Sequence, residues 1–500
     1  MATRLATLLV IVIVGATFIA GLIVGAQRDD ANGPVDLIIV NGKVYPGGGK
    51  EFQEAVAVRG NQILRVGSNR EVKRLRRAQT LVLDAHGGTV IPGLNDGHVQ
   101  LMAGALSLDR LDLSGVATVD DLETELRDYA DGFPARPWVL ARNGDSGILA
   151  TTNVAARKIL DTAVEARPVF VTSEDGSVAW ANSKALENAG ISRKTRNPEH
   201  GIVVKDRHTG EPTGVLKDAA VDLVARVLPQ PTRAERIAAL RTAIGEAHKL
   251  GVTSLHSVTT GEEELNLLST IRKQGDLTMR VYGSIAIAPT ITEAGVAELD
   301  KLRQTYPDDP TLKLGGVEIV CEKKARDPIS TSTTCDAATL DRAVVLLDKH
   351  NWNVTVRTVN GADVHAAVDA FEHAAVLNPA PARDRRYRLD DSLLSDGTAR
   401  ILFGSNWPAA PLDPRDAIEH AVATPAELLP AIDAYTTHAA YASYDELRKG
   451  TLAAGMLADI VILSNNIFDN RPESLRETAV SVTIFDGKIV YQRPVAASDD

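Results

Sequence analysis

The sequence predicts an α/β fold: a β/α barrel with a composite β-domain assembled from both chain ends and a subdomain inserted after the first barrel strand. Three observations predict it. Short β-branched runs alternate with helical patterns through the middle of the chain: TVIPGLNDGHV (89 to 99), VTSLHSV (252 to 258), MRVYGSIA (279 to 286), LKLGGVEIVC (312 to 321), NVTVRTV (353 to 359) and ARILFGSN (399 to 406). Such alternation implies a parallel sheet, and this many units implies a barrel. A hairpin texture stands at both ends of the chain. VDLIIVNGKVYP (35 to 46) and EAVAVRGNQILRVG (54 to 67) carry the turn dipeptides Asn41-Gly42 and Gly60-Asn61, and ADIVILS (458 to 464) precedes VSVTIFDGKIVYQ (480 to 492), which turns at Asp486-Gly487. Neither set is large enough for a stable sheet alone, so the ends are expected to share one. Finally, residues 102 to 250 are too long for one connection and hold strands of their own, PWVLAR and RPVFVTS.

The expected organisation is an N-terminal segment over 1–30, a β-domain over 35–88 plus 447–495, and a barrel over 89–446 with 102–250 as its insertion. Five hundred residues exceed what one core usually organises, in keeping with several domains. Helices are expected over 233 to 250, opening after Pro231-Thr232 and closing at Gly251, and over 361 to 376. LNPAPARDRR (377 to 386) reads as a loop.

Composition narrows the function. Aromatics are only 4% of the chain, so Val, Leu, Ile and Ala must pack the core. The formal charge of -11, with no Lys/Arg cluster, argues against a nucleic-acid partner, because neutralising phosphates needs a basic face. Leu5 to Ala26 carries no charge over about 22 residues, roughly 33 Å as a helix, against a hydrocarbon core of about 30 Å. The expectation is a transmembrane anchor that partners the membrane, with the body extracytoplasmic (periplasmic) and a membrane complex as a further partner. The alternative is a signal peptide cleaved after Val24-Gly25-Ala26, which would release the body. Cys321 and Cys335 are the only cysteines; they either form one disulfide, closing a loop of about 15 residues for roughly 3 kcal/mol, or remain two free thiols.

The motifs that carry chemistry are PGLNDGHVQL (92 to 101), ANSKALENAGI (181 to 191), TGEPTGVL (209 to 216), LGVTS (250 to 254), GSNWP (404 to 408), AYTTHAAYA (434 to 442) and KGTLAAGMLADIVIL (449 to 463). Taken together they resemble the family 3 branch of the amidohydrolase superfamily over nearly everything after about residue 35. The resemblance implies an amidohydrolase-type barrel whose strand ends hold one or two metals, usually zinc, that activate water to hydrolyse an amide or related C–N bond. It also implies a ligand set: a His-x-His pair on the first barrel strand, a carboxylated lysine or a glutamate on the fourth, histidines on the fifth and sixth, and an aspartate on the eighth.

This chain departs from that set at almost every position. His98 matches the first histidine, but Gln100 stands where the second belongs, and a neutral amide is a poor zinc ligand. The lysine becomes Glu318, which is tolerable for a metal. On the fifth strand Arg357 puts a permanent cation where imidazole should bind. Asn406 keeps the shape of the aspartate without its charge or basicity. The sixth-strand histidine is missing, since residues 383 to 408 run almost directly into the eighth-strand motif; Asp391 or the deletion junction replaces it. About two β/α units are therefore expected to be lost, leaving the barrel distorted and incomplete, because strand number, tilt and shear are linked. Ser177 replaces the histidine of a further Asp-Gly-His motif.

These departures predict a catalytically inactive pseudoenzyme serving as a binding or structural subunit, with no metal or other cofactor. Glu318 and Arg357, changed to opposite charges, are expected to pair across the old site, although each side chain has other partners open to it. The alternative is a hydrolase of non-peptide C–N bonds with a rebuilt zinc site on His98 and Glu318. His256 sits on a barrel strand without ligand spacing and reads as a core histidine, and Ser405 has no His/Asp partner in the sequence.

Overall fold

A computed structural model of the chain describes residues 35–145, 147–148, 154–320, 336–358, 361–380, 383–389, 392–395, 398–422, 424–469, 475 and 477–494. They fall into two compact units. The larger, 96–247 with 254–413, carries most of an eight-stranded sheet. Its strands are β1 (Leu94–Val99), β2 (Val252–Ser257), β3 (Arg280–Ile287), β4 (Leu312–Ile319), β5 (Asn353–Val356), β6 (Tyr387–Leu389), β7 (Ser392–Ser395) and β8 (Thr398–Ile401), hydrogen-bonded in that order. From β2 to β6 every pairing is parallel. These strands are buried along nearly their whole length, as a sheet covered on both faces requires, which is why they read as continuous apolar runs.

Between the strands lie α1 (Leu101–Ser107), α2 (Arg233–Lys249), α3 (Glu262–Lys273), α4 (Glu293–Thr305), α5 (Ala337–Lys349) and α6 (Gly361–Leu377). Helix α2 starts where Pro231-Thr232 places it: the Thr232 backbone N–H donates to Glu235 at 2.6 Å, and Glu235 N–H donates back to Thr232 Oγ1 at 3.3 Å. Residues 102–232 hold a separate six-stranded mixed sheet, in which 139–142 and 169–172, the runs read as strands in the insertion, pair in parallel.

The expected loss of β/α units is real, and the fold compensates for it. After β6 the chain turns back as β7, antiparallel to β6, and again as β8, antiparallel to β7. Two reversals restore the direction of β6, so the run after β8 lies parallel to β1. Gly97 N–H donates to Phe403 O (2.8 Å), Asn406 N–H to His98 O (2.8 Å) and Gln100 N–H to Trp407 O (2.9 Å), with a parallel bridge at Val99 and Trp407. The antiparallel β7 thus stands alone between β6 and β8, with no helix among the described residues on either side of it. The sixth position in the sheet is held by β6, so the expected loss does not include it; Asp391 lies outside the described residues.

A buried carboxylate fixes the entry to β6. Asp348, near the end of α5, is fully buried and accepts from Tyr387 Oη (2.7 Å), Arg385 Nε (2.9 Å) and Asn378 Nδ2 (3.0 Å), and also from Arg383. Tyr387 in turn stacks on Phe371 of α6, with ring centroids 4.3 Å apart. The Pro- and Arg-rich segment before β6 is therefore tethered, although residues 378–380 and 383–386 form no helix or strand.

The smaller unit, 35–95 with 248–253 and 414–494 among the described residues, holds two sheets. In the five-stranded one, Ile460–Leu463 pairs antiparallel with Thr89–Pro92 on one side and with Val480–Phe485 on the other, so both chain ends share a sheet. Its core joins Leu37, Ile39, Val56, Val90, Ile460 and Ile484.

The membrane placement is corrected. The expected membrane-anchored, periplasmic body, membrane partner and membrane complex are not supported: among the described residues no helix is long and apolar enough to cross a membrane. The apolar run from Leu5 to Ala26 lies outside the described residues, as do Cys321 and Cys335.

Replacing Asp348 with Ala strips two guanidinium groups and a phenol of their shared acceptor. Stability should drop by about 3 kcal/mol, read as a lower urea midpoint with an unchanged slope.

Candidate functional site

The C-terminal ends of parallel strands in a β/α barrel converge on one rim, where ligands and catalytic groups collect. In this chain the rim holds a polar cluster built on two guanidinium groups. Arg357, the residue after β5, donates from Nε to Glu318 Oε1 of β4 at 3.1 Å, and its Nη2 lies 3.4 Å from His98 Nε2 of β1. Arginine has no acceptor, so the His98 Nε2 must be the unprotonated nitrogen, with the proton on Nδ1. Glu318 is fully buried, whereas the Arg357 side chain is 34% exposed. The expected internal ion pair is present, and the cation forms its outer half.

The second guanidinium belongs to Arg388 of β6. It is almost fully buried, with Nη1 3.2 Å from His256 Nδ1 of β2 and Nη2 donating to the Gly97 carbonyl at 2.8 Å. His256, fully buried, lies against the Tyr282 ring, centroids 5.0 Å apart. It is the core histidine its spacing suggests, yet it belongs to the cluster. Arg388 is the residue the sequence reading missed. A strand of three residues offers almost no alternation to read, but Tyr387 and Leu389 flanking Arg388, with Asp396-Gly397 as a hairpin dipeptide further on, are the available signals.

Backbone geometry locks this arrangement. Asp96, fully buried, accepts at Oδ1 from the N–H groups of His98 (3.1 Å) and Ser405 (3.0 Å), tying β1 to the segment after β8. The two runs approach so closely that a Cβ on Gly404 would stand 2.5 Å from His98 Cβ, and one on Gly104 would stand 2.1 Å from the Trp407 ring. Only glycine fits at either point. Asn406 is exposed, with φ of 54°, a conformation asparagine tolerates, and Gln100 is half-buried at the start of α1 without capping it. The structure thus brings His98, Glu318 and Arg357 into direct contact, adds His256 and Arg388, and leaves Gln100 and Asn406 bonded to the strand ends through their backbones.

Charge explains the state of His98. Burial, then the cations of Arg388 and Arg357, push its pKa down to about 4, so at neutral pH it is an uncharged acceptor. The start of α1 is served instead by Glu264 of α3, whose carboxyl takes Ser257 Oγ at 2.8 Å and the Met102 N–H. Burial raises that carboxyl to about 7.

These residues do not fit a divalent metal. Arg357 bridges Glu318 and His98, the two side chains offered for a rebuilt zinc site, and a guanidinium has no lone pair to give and a charge that repels a cation. Among the described residues no group of three or more His, Cys, Asp or Glu is arranged to hold a metal ion.

Comparison with known proteins agrees with the fold. The amidohydrolase family model matches residues 81–393 and 391–491. The chain belongs to the amidohydrolase family. It is 26% identical to the protein LONG AFTER FAR-RED 3 of Arabidopsis thaliana, covering 91% of each chain. It is 25% identical to the putative amidohydrolase YtcJ of Bacillus subtilis, over 88% of this chain and 96% of that one. The N-substituted formamide deformylase of Arthrobacter pascens is 23% identical over 92% of this chain and 98% of its own. Among solved structures, an uncharacterized metal-dependent hydrolase from Pyrococcus horikoshii OT3 superposes with a TM-score of 0.65 at 18% identity, over 87% of this chain and 99% of that one. Members of this family are usually metal-dependent.

Two outcomes test the site. Arg357→Met strands the buried Glu318 carboxylate and should cost about 3 kcal/mol, whereas the double change Arg357→Met with Glu318→Leu should recover most of that loss in urea unfolding. Glu264 is more readily protonated folded than unfolded. Its contribution is complete below about pH 4.5 and declines by about 1.4 kcal/mol per unit until about pH 7. Glu264→Gln should therefore gain stability relative to the parent chain as pH rises through that window, measured from urea midpoints at pH 4, 6 and 8.

Proposed function

We propose that this amidohydrolase-family protein is a pseudoenzyme, whose barrel site binds a ligand or partner and does not carry out metal-dependent hydrolysis. One observation supports the reading above the others: the Arg357 guanidinium occupies the space between Glu318 and His98 and bonds to both. Water activation by a metal requires lone pairs converging on one point, with an open position for the water. Here the converging groups are donors. His98 is spent as an acceptor, Glu318 is spent as a counter-charge, and Asn406 offers an amide where proton transfer needs a carboxylate.

The likeness to an N-substituted formamide deformylase supports a second reading, hydrolysis of non-peptide C–N bonds by a rebuilt site with zinc on His98 and Glu318. That arrangement requires Arg357 to swing out and leave a buried carboxylate to the metal. The two readings differ in metal content. Protein purified without chelator should contain far less than one zinc per chain by plasma mass spectrometry, and should release no formate from an N-substituted formamide with or without added zinc. Stoichiometric zinc together with chelator-sensitive formate release would establish the hydrolase instead.

A further inference from the structure

The cluster at the barrel rim is asymmetric in depth, and that asymmetry points to a ligand class. Its carboxylates are sealed: Glu318 and Asp96 are both fully buried, Glu318 against Arg357 Nε and Asp96 against two backbone N–H groups. Arg388 is sealed as well, between His256 and the Gly97 carbonyl. Arg357 is the charged group of this cluster that reaches solvent, with a third of its side chain exposed. Its inner edge is used, Nε toward Glu318 and Nη2 toward His98, whereas Nη1 donates to no acceptor among the described residues. The solvent-reaching part of the cluster is therefore the outer edge of a guanidinium already oriented by two buried partners.

A guanidinium edge held in this way matches a planar pair of oxygens. Two parallel N–H donors give a bidentate, charge-assisted bond to a carboxylate, and the orientation fixed in advance by Glu318 and His98 lowers the ordering cost of binding. A neutral amide presents one oxygen and no charge to the same edge. A metal ion, by contrast, is repelled. We infer that the barrel mouth binds a small organic carboxylate on the outer edge of the Arg357 guanidinium, in the place where the family's hydrolases are expected to hold metal. The inference rests on the metal-free reading of the site and names the ligand class for it.

The test is calorimetric titration of the full-length chain, at constant ionic strength, with acetate, N-acetylglycinate, the neutral N-acetylglycinamide and inorganic phosphate, with zinc content measured on the same preparation. Saturable binding of at least one acid is expected, with N-acetylglycinamide weaker than N-acetylglycinate by at least about tenfold. Arg357→Lys keeps the charge and loses the fork, so the acid should bind about tenfold more weakly. Glu318→Gln removes the competing buried carboxylate and should tighten the acid by about threefold or more, an effect that a purely structural ion pair would not produce. Metal-free protein that binds neither acid, binds the amide or phosphate as tightly, or is indifferent to both variants overturns this inference alone. Stoichiometric zinc overturns the metal-free reading and this inference with it.

Discussion

A guanidinium and a divalent metal ask opposite things of the same neighbours. A metal gathers lone pairs, and the side chains around it can be neutral or negative without further support. A guanidinium gathers acceptors, brings its own protons, and must keep a counter-charge close if it is buried. Once Arg357 stands beside β4, Glu318 is needed as a carboxylate, and His98 is tolerated only as a neutral acceptor. The rest of the rim follows from that exchange. The formal charges of the cluster, Glu318 and Asp96 against Arg357 and Arg388, balance, and the exposed Asn406 adds none.

Barrel closure depends on a similar substitution of one device for another. A sheet that loses two β/α units either opens or finds another way to bring its last strand alongside the first. Here β7, antiparallel to both β6 and β8, takes one position in the sheet with four residues, and the run after β8 stays parallel to β1. The cost falls on the segment ahead of β6, which has no helix to hold it. The acceptor set of Asp348 answers that need, because one buried carboxylate orders three donors from the segment, Asn378, Arg383 and Arg385, together with Tyr387 at the start of β6. The shortened barrel and the buried Asp348 hub are in this sense one adaptation.

Much of this was legible in the sequence. The runs at 252 to 258, 279 to 286, 312 to 321 and 353 to 359 became β2 to β5 because a parallel strand buried on both faces has to be continuously apolar and β-branched, a pattern that survives without any neighbour in view. Gln100, Arg357 and Asn406 were legible as departures because the motifs around them resemble a family. Arg388 was not, since β6 has three residues and its role depends on His256 and Gly97, which are distant in sequence and meet only after the barrel closes. The hairpin was hidden for a related reason: Asp396-Gly397 is a strong local turn signal, but the resemblance directed attention to what was missing between β5 and β8. The membrane expectation failed differently. It rests on one apolar run that lies outside the described residues, and no helix among the described residues has the length and apolarity to cross a membrane.

His98 is held in place by several structural bonds at once. Its backbone is committed twice, the N–H to Asp96 and the carbonyl to Asn406, and both bonds lie along the seam where β1 meets the run after β8. Its side chain is an unprotonated acceptor for Arg357 and stays so because two nearby cations and burial oppose its protonation. A lysine or arginine there would add a third cation to a buried site, and an aliphatic residue would leave Nη2 without its acceptor. The close approach of Gly404 rules out movement of the seam to make room for anything larger. Position 98 therefore needs a side chain that accepts a hydrogen bond from Arg357 and carries no charge, and an imidazole held neutral meets both.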